Sequence, residues 1–162
     1  MKVAVVHDWL TGMRGGEYVL EAILDQVPDA QIFTLIHARG RLSEKIESRK
    51  IHTSLLQKIP GIFKFYRHFL PLLPFFIQRF DLSEFDVVIS SSHCVAKGVQ
   101  KAPRAVHLSY VHAPMRYMWD RFDDYFGVNR ASLLVRSVAL LIRPFLQAWD
   151  RRVSQKDRVN LM

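Results

Sequence analysis

At 162 residues, with 49% hydrophobic and 23% charged residues, the chain has the size and composition of one ordinary globular domain. Its single cysteine, Cys94, excludes a disulfide framework, and the first residues lack the basic, apolar and small-residue stretches of a secretory signal, so we expect a cytoplasmic protein. The formal charge of +8 favours a polyanionic neighbour, but charge alone does not choose among lipid, nucleic acid and a phosphorylated substrate.

The first 27 residues have the pattern of a strand, a glycine loop and a helix. Residues 3–6 are apolar and typical of a strand buried on both faces. Gly12, Gly15 and Gly16 follow, and residues 19–27 carry apolar side chains at helical spacing. In a parallel α/β sheet such a loop lies at the carboxyl end of the first strand, where ligands bind, and the helix start favours a phosphate or carboxylate.

The glycine segment GMRGG is specific in what it excludes. It lacks the spacing GxGxxG, and no GxxxxGK[ST] follows it, so neither the dinucleotide fingerprint nor the P-loop is present. Glu17 stabilises the helix start but competes with an incoming anion, unless a hydroxyl group of the ligand uses it as an acceptor. From these residues alone, a ligand loop and a turn that only joins strand to helix are about equally supported.

Two further strands are predicted at residues 31–36 and, more weakly, at residues 48–53. The loop that leaves the first of them is basic, with Arg39 and Arg41. A doubly wound dinucleotide site needs an acidic residue after its second strand. The cationic exit therefore argues again against NAD.

Residues 55–82 combine six phenylalanines with Lys and Arg, and three prolines cut the segment into short helices. It is too interrupted to span a membrane, which takes about 20 unbroken apolar residues. We expect most of the phenylalanines to fill the core, at about two to one over an amphipathic surface that touches anionic lipid. The six are Phe63, Phe65, Phe69, Phe75, Phe76 and Phe80.

Two more predicted strands end in polar residues. Residues 85–92 end in three serines, after which His93 follows, and residues 105–112 end at His112. Alternation places His107 and His112 on opposite faces of their strand, so these two do not share a metal. Strands separated by helices predict a parallel sheet with helices on both faces. Its carboxyl edge then brings together the glycine loop, the His93 loop and His112.

The last third of the chain is predicted to be mainly helical. Pro114 opens a predicted helix within HAPMRYMWDRFDDYF, and residues 132–153 form one long helix, kinked near Pro144 and packed on the sheet. A membrane-surface helix is the alternative for this stretch. Residues 154–162 are polar, and we expect neither strand nor helix there.

His112 is the strongest candidate for chemistry, as a general acid or base or as an oxyanion stabiliser, with an unperturbed pKa near 6.5. The alternative is a histidine that is only hydrogen-bonded within the sheet edge. Several classes of enzyme are set aside. Ser-His-Asp hydrolysis lacks its GxSxG nucleophile elbow, and a helical metal site lacks its HxxxH pair. A thiol enzyme that uses Cys94 with His93 is weakly supported, because neighbouring side chains on an extended segment point opposite ways.

Four segments, taken in order, resemble the amino-terminal domain of family 4 glycosyltransferases, which are retaining enzymes of the GT-B fold. They are VAVVHDWLTGMRGGEYVLEAIL, IESRKIHTSLLQKIP, FDLSEFDVVISSSHCVAKGV and VHAPMRYMWD. The likeness is to bacterial enzymes that add a hexose, often mannose, to a lipid-linked or cell-surface polysaccharide. It implies a single Rossmann-like domain that holds the acceptor, while a second domain binds the nucleotide sugar.

The resemblance also implies roles for residues. Gly15 and Gly16 would lie at the donor diphosphate and His112 at the catalytic position beside the transferred sugar. The nucleotide sugar is a substrate, and we expect no cofactor and no metal. The residues implied on the acceptor side are Asp8, Glu17, His93, Arg116, Tyr117 and Asp120.

Residues 1–152 correspond to that amino-terminal domain, and we expect residues 153–162 to be a truncated or divergent tail. The family's second domain, with its two glutamates separated by seven residues, is not in the sequence. We therefore expect the chain to be inactive alone and to need that domain or a partner chain. An exposed face where the domain would pack makes a homodimer an alternative.

Two other functions remain open at this point. A non-catalytic module at an anionic membrane, peripheral to the inner membrane face, would use the charge and the aromatic segment. Nucleic-acid binding has only charge with interleaved aromatic residues in its favour, and we expect no nucleic-acid partner.

Overall fold

The computed structural model describes residues 1–116, 118–127, 132–155 and 159–161, the last three by their backbone only. Within these residues the strands are β1 Val3–His7, β2 Gln31–Thr34, β3 Ile51–Thr53, β4 Val87–Ser92, β5 Val106–Val111 and β6 Val159–Leu161. The α-helices are α1 Gly15–Gln26, α2 Glu44–Glu47, α3 Ile62–Phe65, α4 Leu73–Ile77, α5 Phe122–Phe126 and α6 Leu133–Gln155. Short 3₁₀ helices lie at Leu55–Lys58, Tyr66–Leu72 and Ala96–Gly98.

The strands form one parallel sheet in the order β3-β2-β1-β4-β5-β6. From β1 the chain moves outward to β3, crosses back to β4 and continues outward to β6. This is the doubly wound order of a Rossmann-like fold, as predicted. The order reverses between β1 and β4, and the crevice beyond their carboxyl ends is where such folds bind ligands.

Apolar layers cover both faces of the sheet, which is why the central strand β1 is apolar from Val3 to Val6. On one face α1 buries Leu20 and Leu24 against Val5 and Ile32. On the other face Val6 belongs to a larger cluster, to which residues 55–82 and α6 contribute. The helices on the two faces therefore fix the carboxyl edge of β1 from both sides.

The proline-rich segment folds into short helices, as predicted. Pro71 lies inside the 3₁₀ helix, and Pro74 lies in the first turn of α4. Four of the six phenylalanines are partly buried against the core, whereas Phe63 and Phe75 are exposed. The prediction that most of them serve the core is confirmed. The four are Phe65, Phe69, Phe76 and Phe80.

The long helix α6 packs through a narrow stripe. Ala139, Leu146 and Val153 are buried, while Leu134 and Leu141 are exposed. The prediction of one long, partly buried helix is confirmed. None of the helices in the described ranges combines the length and the apolar character that crossing a membrane requires.

The prediction that a helix begins at Pro114 is wrong, although the last five residues of the predicted stretch do form α5. Residues 116 and 118–120 lie in turns, with the Met118 N–H bonded to the Met115 carbonyl, and regular helix begins only at Phe122. The reason is that side chains of α6 take the carbonyls that a helix would use. Arg143 donates to the carbonyl oxygens of Met118 and Trp119, both at 2.9 Å.

The expectation that residues 154–162 hold no regular structure is also wrong. The helix α6 continues to Gln155, and β6 then pairs in parallel with β5, in the register Ser109 with Asn160. Three residues are too few to show an alternating pattern. The strand forms because α6 returns the chain to the exposed edge of β5.

Candidate functional site

Three segments of the chain meet at the carboxyl edge of the sheet, next to the reversal of strand order. A Cβ atom built on Gly16 would lie 3.5 Å from His7 Cε1 and 3.8 Å from His112 Nε2. The ring centroids of His93 and His112 are 6.3 Å apart. The structure thus brings together Gly16, His93 and His112, as the sequence predicted.

Asp8 holds the loop that carries His93. Its side chain is fully buried, and one carboxylate oxygen accepts the backbone N–H groups of His93 and Cys94 at 2.7 and 2.9 Å. The other oxygen accepts those of Val95 and Ala96 at 2.6 and 2.7 Å. A carboxylate engaged in this way positions the loop from inside the protein.

A chain of polar contacts joins His112 to Glu17. The hydroxyl of Ser91 lies 2.8 Å from His112 Nε2 and 3.1 Å from His7 Nδ1. Because a hydroxyl carries one proton, it donates to one of these rings while it accepts from the other. Nε2 of His7 lies 3.7 Å from a carboxylate oxygen of Glu17. Ser91 therefore couples the tautomers of the two histidine rings. We call His7, Ser91, His93 and His112 the histidine cluster.

Burial lowers the pKa of both His93 and His112. For His112, burial acts first, and the proximity of His7 and His93 adds to it. For His93, burial outweighs the opposing attraction of Asp8. Since an unperturbed histidine titrates near pH 6.5, both rings are neutral at pH 7. A neutral imidazole offers one donor and one acceptor nitrogen.

The two carboxylates beside the cluster remain ionised. Burial opposes the charged form of Asp8, but the charges of His93 and His7 and the backbone N–H groups outweigh it, so its pKa is lowered. Burial likewise opposes ionisation of Glu17, and contact with His7 and the Arg14 N–H, donated at 3.0 Å, outweighs it and lowers the pKa. Glu17 therefore satisfies the start of α1 and faces His7.

The remaining predicted site residues lie in different surroundings. Gly15 is exposed at the first position of α1, and a Cβ atom there would meet open space. Arg116 and Asp120 are exposed in the turns after β5, where Arg116 Nε lies 3.8 Å from an Asp120 carboxylate oxygen. Tyr117 lies outside the described residues.

Sequence reasoning gave no role to His7 and noted Ser91 only as one of three serines. His7 is the last residue of β1, which is buried on both faces. Such a strand shows no alternation of polar and apolar residues, so the sequence does not indicate the face on which His7 lies. The available signal was the pairing of strands. With β1 next to β4, His7 pairs with Ser91 in the register of the sheet.

His107 is separate from the cluster, as predicted. Its Nε2 lies 2.9 Å from the Ser90 hydroxyl, whereas His112 contacts Ser91, the next residue of β4, whose side chain takes the opposite face. In the described ranges of the chain, no three His, Cys, Asp or Glu side chains are arranged to hold a metal ion.

Comparison with known proteins adds no identification. No family model matches the chain, and it matches neither a curated protein nor a solved structure. The fold and the geometry of the carboxyl edge therefore carry the functional argument.

Proposed function

We propose that the chain is the acceptor-binding half of a retaining glycosyltransferase that transfers a sugar from a nucleotide sugar to a lipid-linked or cell-surface polysaccharide acceptor. The observation that carries the proposal is the position of Gly16 against His7 and His112 at the reversal of strand order. A helix start and a neutral histidine face the same point of the crevice, and these are the groups that a phosphorylated sugar needs.

The start of α1 is suited to an anionic ligand. The helix has 12 residues, and its first N–H groups have no partner within the helix. Glycine at positions 15 and 16 leaves the backbone uncovered, so phosphate oxygens can approach it. We assign the donor diphosphate to Gly15 and Gly16.

His112 is suited to contact the sugar. Ser91 occupies Nε2, which leaves Nδ1 for a hydroxyl group of the sugar or of the acceptor. Because its pKa is lowered, the ring is neutral at pH 7 and brings no positive charge that would bind the diphosphate in the wrong place. Glu17 and His93 then line the acceptor side, with Asp8 holding the His93 loop.

Equilibrium binding tests the site. The ligands are a soluble glycan linked to a short-chain lipid diphosphate and a panel of nucleotide sugars. Gly16→Ala puts a methyl group at ordinary contact distance from His7, so the unliganded protein tolerates it, but the methyl fills the space of the ligand. We expect the Gly16→Ala variant to bind the nucleotide sugar about tenfold or more weakly, which corresponds to about 1.4 kcal/mol. Gln26→Ala, at the exposed end of the same helix, is the matched control. Equal affinities for the two variants would contradict the site.

A transfer assay tests the division of labour. We expect the 162-residue chain to give no glycosylated product from any nucleotide sugar, because Gly15 and Gly16 contact only the diphosphate, and recognition of the nucleotide is assigned to a second domain or a partner chain. Efficient transfer by this chain alone would overturn that part of the proposal.

A second candidate function is a non-catalytic module at an anionic membrane surface. Phe63 and Phe75 are 41% and 53% exposed, and the Arg79 guanidinium lies 4.8 Å from the centroid of the Phe75 ring. Exposed aromatics with cationic neighbours suit a lipid interface. Vesicle sedimentation at low and high salt tests this, since exposed charges are screened within about 10 Å at 0.1 M salt. No sedimentation at either salt concentration would remove the membrane function.

A further inference from the structure

A concave site lies beside the histidine cluster and is lined by cationic side chains. It is a cleft of about 210 Å³ between the loop after β1, the loop after β2 and the helical segment around α3. Gly16 and His112 do not line it. The lining residues that matter are Thr11, Arg14, Arg41, Lys64, Tyr66 and Arg67.

The four cationic side chains of this cleft form no salt bridge with the residues that the structure describes. Salt bridges elsewhere in the described ranges use other Lys and Arg side chains, such as Lys2, Lys45 and Lys97, and none involves the four in the cleft. Arg14, Arg41, Lys64 and Arg67 are all exposed, and they come from three separate segments. Four positive charges converging on a cleft produce a local field that attracts an anion.

The cleft adjoins the candidate site through stacked rings. Tyr66 is buried, and its ring centroid is 5.1 Å from that of Trp9. The Trp9 ring in turn lies 4.6 Å, edge-on, from that of His93. Arg14 directly precedes α1, so it joins the cleft to the glycine helix start. The rings of Tyr66 and Trp9 therefore separate the cleft from His93.

We propose that this cleft binds the diphosphate group of a ligand, held by Arg14, Arg41, Lys64 and Arg67. Arginine and lysine form charge-assisted hydrogen bonds to phosphate oxygens, and three arginines can each contact two oxygens. The hydroxyl of Thr11 offers a further donor. The site goes beyond the assignment of Gly15 and Gly16 to the donor. The binding of a diphosphate here does not depend on the proposed function. Only its identification as the diphosphate of the acceptor rests on that function, which it then deepens.

Calorimetric titration with inorganic diphosphate tests the site without any sugar, so its outcome is independent of the proposed transfer. We expect saturable binding that weakens about tenfold in each of Arg41→Gln, Lys64→Gln and Arg67→Gln and is lost in the triple variant. All three side chains are exposed, so we expect the folding to be unchanged, which thermal unfolding checks.

The matched controls are Lys50→Gln and Arg104→Gln. Both residues are exposed and lie at the amino edge of the sheet, Lys50 directly before β3 and Arg104 shortly before β5. Each substitution removes one positive charge, as the substitutions in the cleft do. Their binding should equal that of the unaltered chain. Equal weakening in the controls would show a general effect of net charge and would overturn the site, as would the lack of saturable binding.

The diphosphate can come from a lipid headgroup or from a soluble ligand, and a second arm distinguishes the sources. Vesicles that carry a lipid diphosphate are sedimented with the chain, with and without inorganic diphosphate as competitor. Binding that is competed and is lost in Arg41→Gln assigns the cleft to a lipid. Saturable binding of inorganic diphosphate without such sedimentation assigns it to a soluble ligand. Vesicle binding that is unaffected by both the competitor and the variant would overturn the assignment of the lipid source to this cleft.

Discussion

Asp8 and His93 are 85 positions apart, yet the carboxylate of Asp8 accepts the His93 backbone N–H at 2.7 Å and lies 3.2 Å from Nδ1 of the same residue. One buried side chain at the end of β1 therefore fixes both the backbone and the ring of a residue that follows β4. The shape of the candidate site depends on this contact, because the next three N–H groups of the loop bind the same carboxylate.

Asp8→Asn should destabilise the fold by about 3 kcal/mol or more, because the amide keeps one acceptor oxygen and turns an NH₂ group toward backbone donors. Urea unfolding measures the change. Asp29→Asn, at an exposed position in the turn before β2, is the control and should change the free energy of unfolding by less than about 0.5 kcal/mol. Equal effects of the two substitutions would show that the buried contacts are not important.

Ser91→Ala should change the tautomer of His112, because its Nε2 loses the hydroxyl that it shares with His7. Long-range ¹⁵N–¹H spectra of the imidazole rings report the tautomer directly. Ser92→Ala is the matched control, since the Ser92 hydroxyl is buried and makes no hydrogen bond within the described part of the chain. If the two variants gave the same imidazole spectra, the coupling through Ser91 would be refuted.

Stability should fall as the pH is lowered from 7.5 to 5.5. The pKa values of His93 and His112 in the folded chain lie below the ordinary value, which is near 6.5. Between the folded and unfolded pKa values the unfolded chain binds more protons, so the free energy of unfolding rises with pH. The stability that these two histidines contribute is therefore lost as the pH falls through that window. The lowered pKa values of Asp8 and Glu17 add a further loss below their ordinary values of 3.8 and 4.5.

Urea unfolding at the two pH values measures this dependence. The double variant His93→Gln/His112→Gln removes these two groups and should show a smaller difference between pH 7.5 and 5.5, while His52, whose pKa is also lowered by burial, keeps part of the dependence. Greater stability of the unaltered chain at pH 5.5 would reverse the sign and contradict the lowered pKa values.

The buried ion pair between Lys97 and Asp150 should hold α6 against the 3₁₀ helix at the site. Their side chains are 3% and 6% exposed, and Nζ lies 2.6 Å from the carboxylate. Lys97→Met leaves an unpaired buried charge and should cost about 3–5 kcal/mol. Replacing both residues, as Lys97→Met/Asp150→Leu, should recover part of that loss.

The chain offers its own control for this pair. Lys2 and Glu84 form a salt bridge of the same 2.6 Å length, but their side chains are 62% and 56% exposed. Lys2→Met should therefore change the free energy of unfolding by less than about 1 kcal/mol. If Lys2→Met and Lys97→Met changed the free energy of unfolding equally, burial would not explain the contribution of the Lys97–Asp150 pair to stability.

Most of the fold could be predicted from the sequence, because the central strand of a sheet covered on both faces must be apolar along most of its length. Residues 3–6 show this directly, and the helical spacing that follows places α1. The turns after Pro114 could not be predicted in this way. The apolar spacing of Met115 and Met118 suits a helix, and only the distant Arg143 shows why the carbonyls are taken.

The site was predictable only in part, for a related reason. The carboxyl edge of a parallel sheet collects the ends of its strands, and this placed Gly16, His93 and His112 together. The contacts that orient them depend on which strands are neighbours and on register. Asp8 thus proved to hold a loop from inside the protein, and His7 proved to face Gly16.

The most direct test of the central claim is a titration followed by NMR, with the glycan-linked lipid diphosphate added to the chain alone and then together with a nucleotide sugar. The account predicts that the imidazole signal of His93 shifts when the acceptor is added, that the amide of Gly16 and the imidazole signal of His112 shift when the nucleotide sugar is added, and that Gly16→Ala abolishes the shifts caused by the nucleotide sugar. Ligand-induced shifts confined to other parts of the chain, with the signals of these three residues unchanged, would contradict it.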